Sequence, residues 1–122
     1  MLVVDDERNL RELACCALER AGFTAIPAAI GIEALALWRE RRGSIGLVLA
    51  DVAMPNLAGP ALVAELRALE PGLPIVLMSA LGDAHPGFEQ AASVAAAVIE
   101  KPFRVAELLD VVRTVLRPAP GD

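Results

Sequence analysis

Tyrosine is absent from the chain and aromatics make up only 3% of it, which leaves no platform for base stacking. The interior must therefore be built from Val, Leu, Ile and Ala. Positive charge is also scarce. The formal net charge is −5 and no Lys/Arg-rich run exists to neutralise phosphates, so direct nucleic-acid binding is not expected. Cysteine is confined to Cys15 and Cys16. Neighbours on the helix expected there diverge by about 100°, which disfavours a bridge between them and fits reduced thiols in a cytoplasmic domain. No uncharged apolar stretch reaches the ~18 residues of a membrane span, and no charged segment leads into a signal peptide. A cytoplasmic location without a membrane partner is the expectation.

What is present is enough for one core. The 122 residues are 56% hydrophobic and 22% charged, a balance that excludes disorder. Short aliphatic runs alternate with helical periodicity from end to end. Leu2–Val4 is an apolar run that stops at Asp5, Asp6 and Glu7. Leu10, Leu13, Ala14, Ala17, Leu18 and Ala21 then form one helical stripe closed by Gly22. Phe23–Ala28 reads as a second strand, placed at an edge by Pro27. Ile32–Arg42 reads as a helix with Leu35 and Trp38 inward, stopped by Gly43.

A third strand is expected over Ile45–Ala50 with Asp51 just beyond it, then a helix from Gly59-Pro60 to Leu69, and a fourth strand over Pro74–Ser79. A weak Ala-rich helix near Phe88–Ala95 leads to a fifth strand, Ala97–Glu100. The last helix, Arg104–Leu116, is expected to bury Val105, Leu108, Leu109, Val112 and Leu116. Five strands alternating with five helices predict a (βα)5 doubly wound parallel sheet with helices on both faces. The domain is expected over residues 1–117, with 118–122 a frayed tail.

Ligands of such sheets bind outside the carboxyl ends of the strands. The residues there are Asp5 and Asp6 after the first strand, Asp51 after the third, Ser79 and Ala80 after the fourth, and Lys101 after the fifth. Converging carboxylates repel unless a cation intervenes, and an all-oxygen cluster is magnesium chemistry. Phosphoryl transfer needs such a metal, a further positive charge and a nucleophile, roles open to the acids, Lys101 and Asp51; Ser79 could add a hydrogen bond. Lys101 is expected to face solvent, so its loss should cost function more than fold.

Asp5-Asp6-Glu7, Asp51 with Met54-Pro55 and Gly59, Ser79-Ala80 and Lys101-Pro102-Phe103 together resemble the receiver domain of two-component response regulators over essentially the whole chain. The resemblance implies a flavodoxin-like fold with strand order 2-1-3-4-5. It implies that Asp51 accepts a phosphoryl group from a histidine kinase or histidine phosphotransfer protein. Asp6 and Asp51 would ligate Mg2+ directly, Asp5 through water, and the Ala53 carbonyl would complete the protein ligands. Lys101 would pair with the phosphoryl group, its bond to Pro102 would be cis, and Ser79 with the Ala80 backbone N–H would receive the phosphoryl oxygens. Two positions depart from the family pattern. Val98 stands where an aromatic is usual, and Val94 replaces a glycine, so the end of the fourth helix should be irregular.

Blander readings exist for each residue alone: Asp5 and Asp6 as helix-capping acids, Asp51 as a turn residue, Ser79 as a solvated hydroxyl. A haloacid-dehalogenase-type phosphatase would need a second Asp at position 53, which is Ala53, and an FMN module would need a hydroxyl- and glycine-rich loop where three acids stand. A degenerate receiver serving as a docking scaffold is the remaining alternative. The first strand starts at Met1 and no effector follows Leu116, so the chain is expected to be part of a longer protein, such as a hybrid kinase, or else a free-standing regulator. Should it dimerise, the last two helices and the fifth strand are the expected surface.

Overall fold

The computed structural model describes residues 1–52, 59–80 and 88–116. Five strands form the sheet: β1 (Leu2–Val4), β2 (Ile26–Ala28), β3 (Val48–Asp51), β4 (Ile75–Ala80) and β5 (Ala97–Lys101). Five α-helices connect and follow them: α1 (Arg8–Arg20), α2 (Gly31–Glu40), α3 (Gly59–Leu69), α4 (Phe88–Val94) and α5 (Val105–Leu116). The sheet is parallel throughout, in the order β2-β1-β3-β4-β5. This is the doubly wound, flavodoxin-like architecture that the alternating pattern and the family resemblance implied. Pro27 sits in the edge strand β2, where its missing N–H costs no inner ladder bond.

Successive strand side chains point to opposite faces, so the three central strands β1, β3 and β4 feed two cores. Leu2, Val4, Val48, Ala50, Ile75 and Leu77 pack with Trp38 of α2, Leu62 and Leu66 of α3 and Ala91 of α4. Val3, Leu47, Leu49, Val76, Met78 and Ile99 pack on the other face with Ala14 and Leu18 of α1 and Leu108 and Val112 of α5. Each fully buried Leu among these contributes roughly 1.5–3 kcal/mol relative to exposure. The α1 terminus closes as expected at Gly22, whose φ is 98°. There the Phe23 N–H donates to the Leu18 carbonyl at 3.0 Å and the Gly22 N–H to that of Glu19 at 3.1 Å, a closure that needs a left-handed residue.

Several expected boundaries and burials are corrected. Strand β2 begins at Ile26 rather than Phe23, because the Phe23 N–H is committed to closing α1. Helix α2 ends at Glu40, and a 3₁₀ turn over Arg42–Ser44 carries the chain past Gly43. Asp51, Ala80 and Lys101 are the last residues of their strands rather than the first beyond them, because each still pairs with a neighbour, Asp51 with Met78 and Ala80 with Lys101. Leu13, Val105 and Leu116 were expected on buried stripes but are 46%, 38% and 39% exposed. They flank helices whose contact with the sheet is already filled by Ala14 and Leu18, and by Leu108 and Val112.

Helix α4 has only seven residues, and its end is fastened by a side chain that the sequence reading did not single out. Arg67 of α3 donates from Nη1 to the Pro71 and Leu73 carbonyls at 2.6 and 2.8 Å, and from Nη2 to the Val94 carbonyl at 2.9 Å. One guanidinium thereby ties α3 to the loop before β4 and to the last residue of α4. Arg67→Met is expected to lower stability by about 1–2 kcal/mol, since charged hydrogen bonds are lost and a partly buried carbonyl is left unpaired. Urea unfolding would read this as a lower midpoint at unchanged slope; a midpoint equal to wild type would show the clamp to be ornamental.

Candidate functional site

The parallel register sets which side chains can meet. Val4 pairs with Ala50, so Asp5 comes level with Asp51, while β4 and β5 end together at Ala80 and Lys101. Asp5 is fully buried and Asp51 is 6% exposed, whereas Asp6 faces solvent. Buried acids need partners, and the chain's single lysine supplies one. Lys101 Nζ reaches across β4 to Asp5 Oδ2 at 3.0 Å and to Asp51 Oδ2 at 2.9 Å. Its side chain is only 18% exposed, which corrects the expectation of a solvent-facing charge. Burial alone would lower the Lys101 pKa, but hydrogen bonds and charge from Asp51 and Asp5 outweigh it and hold the group above its ordinary value.

The other Asp5 oxygen, Oδ1, accepts the Glu7 N–H at 2.9 Å. The capping role considered for Asp5 is thus partly real: it holds the turn into α1, whose own N-cap, Glu7, makes no side-chain cap bond. Arg11 of α1 turns back and donates from Nη1 to the Asp5 carbonyl at 2.8 Å. Nothing in composition or periodicity singled out Arg11; only its place one helical turn after Glu7 brings it within reach of the acidic turn.

Asp5, Asp6 and Asp51 each offer a carboxylate oxygen, all within 4.8 Å of one another. Oxygens around an octahedral Mg2+ at ~2.1 Å stand about 3.0 Å apart when adjacent and 4.2 Å when opposite, so small side-chain rotations would suit this trio to the ion. The donor set is hard and anionic, with no sulfur or imidazole among the three, and fits magnesium rather than zinc. Ser79 lies in β4, 4% exposed, and Ala80 closes that strand. The Ala53 carbonyl, Met54-Pro55 and His85 lie outside the described residues, as does the tail at 118–122. The Lys101–Pro102 bond is cis. Cys15 and Cys16 are both free, and burial raises the Cys15 thiol pKa, which makes it less nucleophilic.

Comparison with known proteins points to one family. The family model for the response regulator receiver domain matches residues 1–113. The chain is 38% identical over 119 residues to the probable transcriptional regulator ycf27 of Porphyra purpurea, covering 98% of this chain and 48% of that protein. It is 32% identical over 116 residues to the sensor kinase CckA of Brucella abortus, covering 95% of this chain and 12% of that protein. The chain therefore spans half or less of the length of these two relatives. Among solved structures, the Vibrio cholerae chemotaxis protein CheY4 superposes with a TM-score of 0.83 at 30% identity, covering 94% of this chain and 96% of that one.

Proposed function

The chain belongs to the response regulator receiver domain family, and on that premise we propose that Asp51 accepts a phosphoryl group with the help of Mg2+ held by Asp5, Asp6 and Asp51. The phosphodonor would be a histidine kinase or a histidine phosphotransfer protein. The observation that carries this reading is the convergence itself: one ammonium shared by Asp5 and Asp51, with Asp6 close enough to complete an oxygen-only cation site.

The metal, with the Ala53 carbonyl as a further ligand, would neutralise charge and orient the phosphoryl oxygens. An Asp51 carboxylate oxygen forms the new bond to phosphorus while the bond from phosphorus to the donor atom breaks, and the donor leaves with that electron pair. Lys101, already beside Asp51, follows the charge from the carboxylate to the phosphoryl oxygens. Ser79 and the Ala80 N–H stand at the adjoining end of β4, where they would donate to those oxygens. The chain acts as a signalling phosphoacceptor rather than a classical enzyme, and the modified edge changes the surface that partners meet.

Val94, Val98, Val105 and Leu116 are 38–45% exposed along α4, β5 and α5, which supports this face as the surface for a homodimer. No described helix is long and apolar enough to cross a membrane, consistent with the proposed cytoplasmic location. The test is incubation with acetyl phosphate, with and without Mg2+, followed by intact mass. A gain of one phosphoryl group that requires the metal is expected. Equal labelling in its absence would contradict the proposed site.

A further inference from the structure

Asp6 is the exposed member of the acidic trio, and its carboxylate makes no hydrogen bond to any described residue. Its position therefore depends on the backbone turn that carries it. That turn is pinned on both sides. The Asp5 N–H donates to the Ala28 carbonyl at 3.1 Å, the Glu7 N–H donates to Asp5 Oδ1 at 2.9 Å, and the Arg11 N–H donates to the Glu7 carbonyl at 3.0 Å. The peptide joining Asp5 to Asp6 lies between these anchors, and Arg11 Nη1 holds its carbonyl at 2.8 Å. Rotation of that peptide would swing Asp6 away from Asp5 and Asp51.

Resting on the metal-assisted reading above, we infer that Arg11 is a positioning residue for the cation site: its hydrogen bond to the Asp5 carbonyl holds the Asp6 carboxylate in the trio. The charge of Arg11 works in the opposite direction, because a guanidinium beside an acidic cluster repels an incoming cation. The two effects predict opposite signs. If only charge mattered, removing Arg11 would tighten Mg2+ binding; if the hydrogen bond matters more, removal weakens it. Groups that orient metal ligands typically account for about 10–100-fold in affinity, more than a solvent-screened charge.

The experiment is a magnesium titration of melting temperature in wild type, Arg11→Met, Arg11→Lys and Arg8→Met. Arg8 lies on the same helix, in an exposed pair with Glu12 at 2.9 Å, and its removal takes away the same charge without touching the turn. Half-saturating Mg2+ is expected to rise about tenfold in Arg11→Met. At Mg2+ well above both dissociation constants, the gain over the metal-free protein should then be smaller than in wild type by about 1.4 kcal/mol, the tenfold change converted by mass action. Arg11→Lys, which keeps a donor, should fall between, and Arg8→Met should match wild type. Equal or tighter binding in Arg11→Met, or equal shifts in Arg11→Met and Arg8→Met, would overturn the role of the hydrogen bond while leaving the metal site intact. A wild type indifferent to Mg2+ would overturn both. Should Arg11→Met fail to fold, Arg11→Lys carries the test alone: a weaker midpoint supports the inference and an unchanged one ends it.

Discussion

Asp51→Asn should take up no phosphoryl group from acetyl phosphate under conditions where the wild type is labelled, while keeping its fold. An amide is close to the carboxylate in shape but is neutral and a poor nucleophile, so the step that bonds oxygen to phosphorus is lost. Stability should change by only about 1 kcal/mol or less, because two effects oppose. The variant loses the 2.9 Å bond from Lys101 to a charged oxygen, but it also removes one of two buried like charges, and Lys101 remains paired with Asp5 at 3.0 Å. Intact mass with a melting curve on the same sample separates lost chemistry from lost fold. Label that persists would have to be located. Lability to hydroxylamine would then point to another carboxylate, and resistance to Ser79 or another hydroxyl.

The sequence disclosed the site better than it disclosed the packing around it. In a parallel sheet every strand runs the same way, so an apolar run that stops at an acid, such as Leu2–Val4 before Asp5, marks one common edge whatever the loops do. Small boundary errors did no harm there, since moving Asp51 into β3 leaves it at the same end. Burial was harder to read. Apolar periodicity reports that a residue is greasy and on roughly the right side, but not whether the sheet beneath is already covered. Leu13, Val105 and Leu116 fit the helical stripe and still face outward. Arginine contacts were not legible at all. The reach of Arg67 to Val94 spans 27 positions, and its target is a backbone carbonyl that carries no sequence signal. The same holds for Arg11 and the Asp5 carbonyl. At the Val94 departure, where an irregular end to α4 was the expectation, the Ala95 N–H still makes the ordinary helical bond to the Ala91 carbonyl at 3.0 Å, and Arg67 takes up the Val94 carbonyl.

The correction to Lys101 leads to the largest expected effect on stability. An exposed lysine could be removed at little cost, but this one separates two carboxylates that are 0% and 6% exposed by residue. Lys101→Met would take from both acids the one ammonium they share. Breaking a buried pair by deleting one partner costs about 3–5 kcal/mol, and the partial exposure of Lys101 places the expected loss near 3 kcal/mol. For a domain of this size that is a fall on the order of 10 °C in melting temperature. Because the raised Lys101 pKa lies above its usual 10.5, its pairing is fully present below that value and lost only as pH climbs through the raised one. The gap between wild type and variant should therefore hold steady across the neutral range and close in strong alkali. Two remedies should each recover part of the loss. Mg2+ would replace the missing positive charge, and Asp51→Asn in the Lys101→Met background would remove one of the repelling acids. The double variant should then be more stable than Lys101→Met alone, a non-additivity that independent sites do not show. Additive losses, or a Lys101→Met protein as stable as wild type without Mg2+, would mean that the ammonium does not hold these acids together.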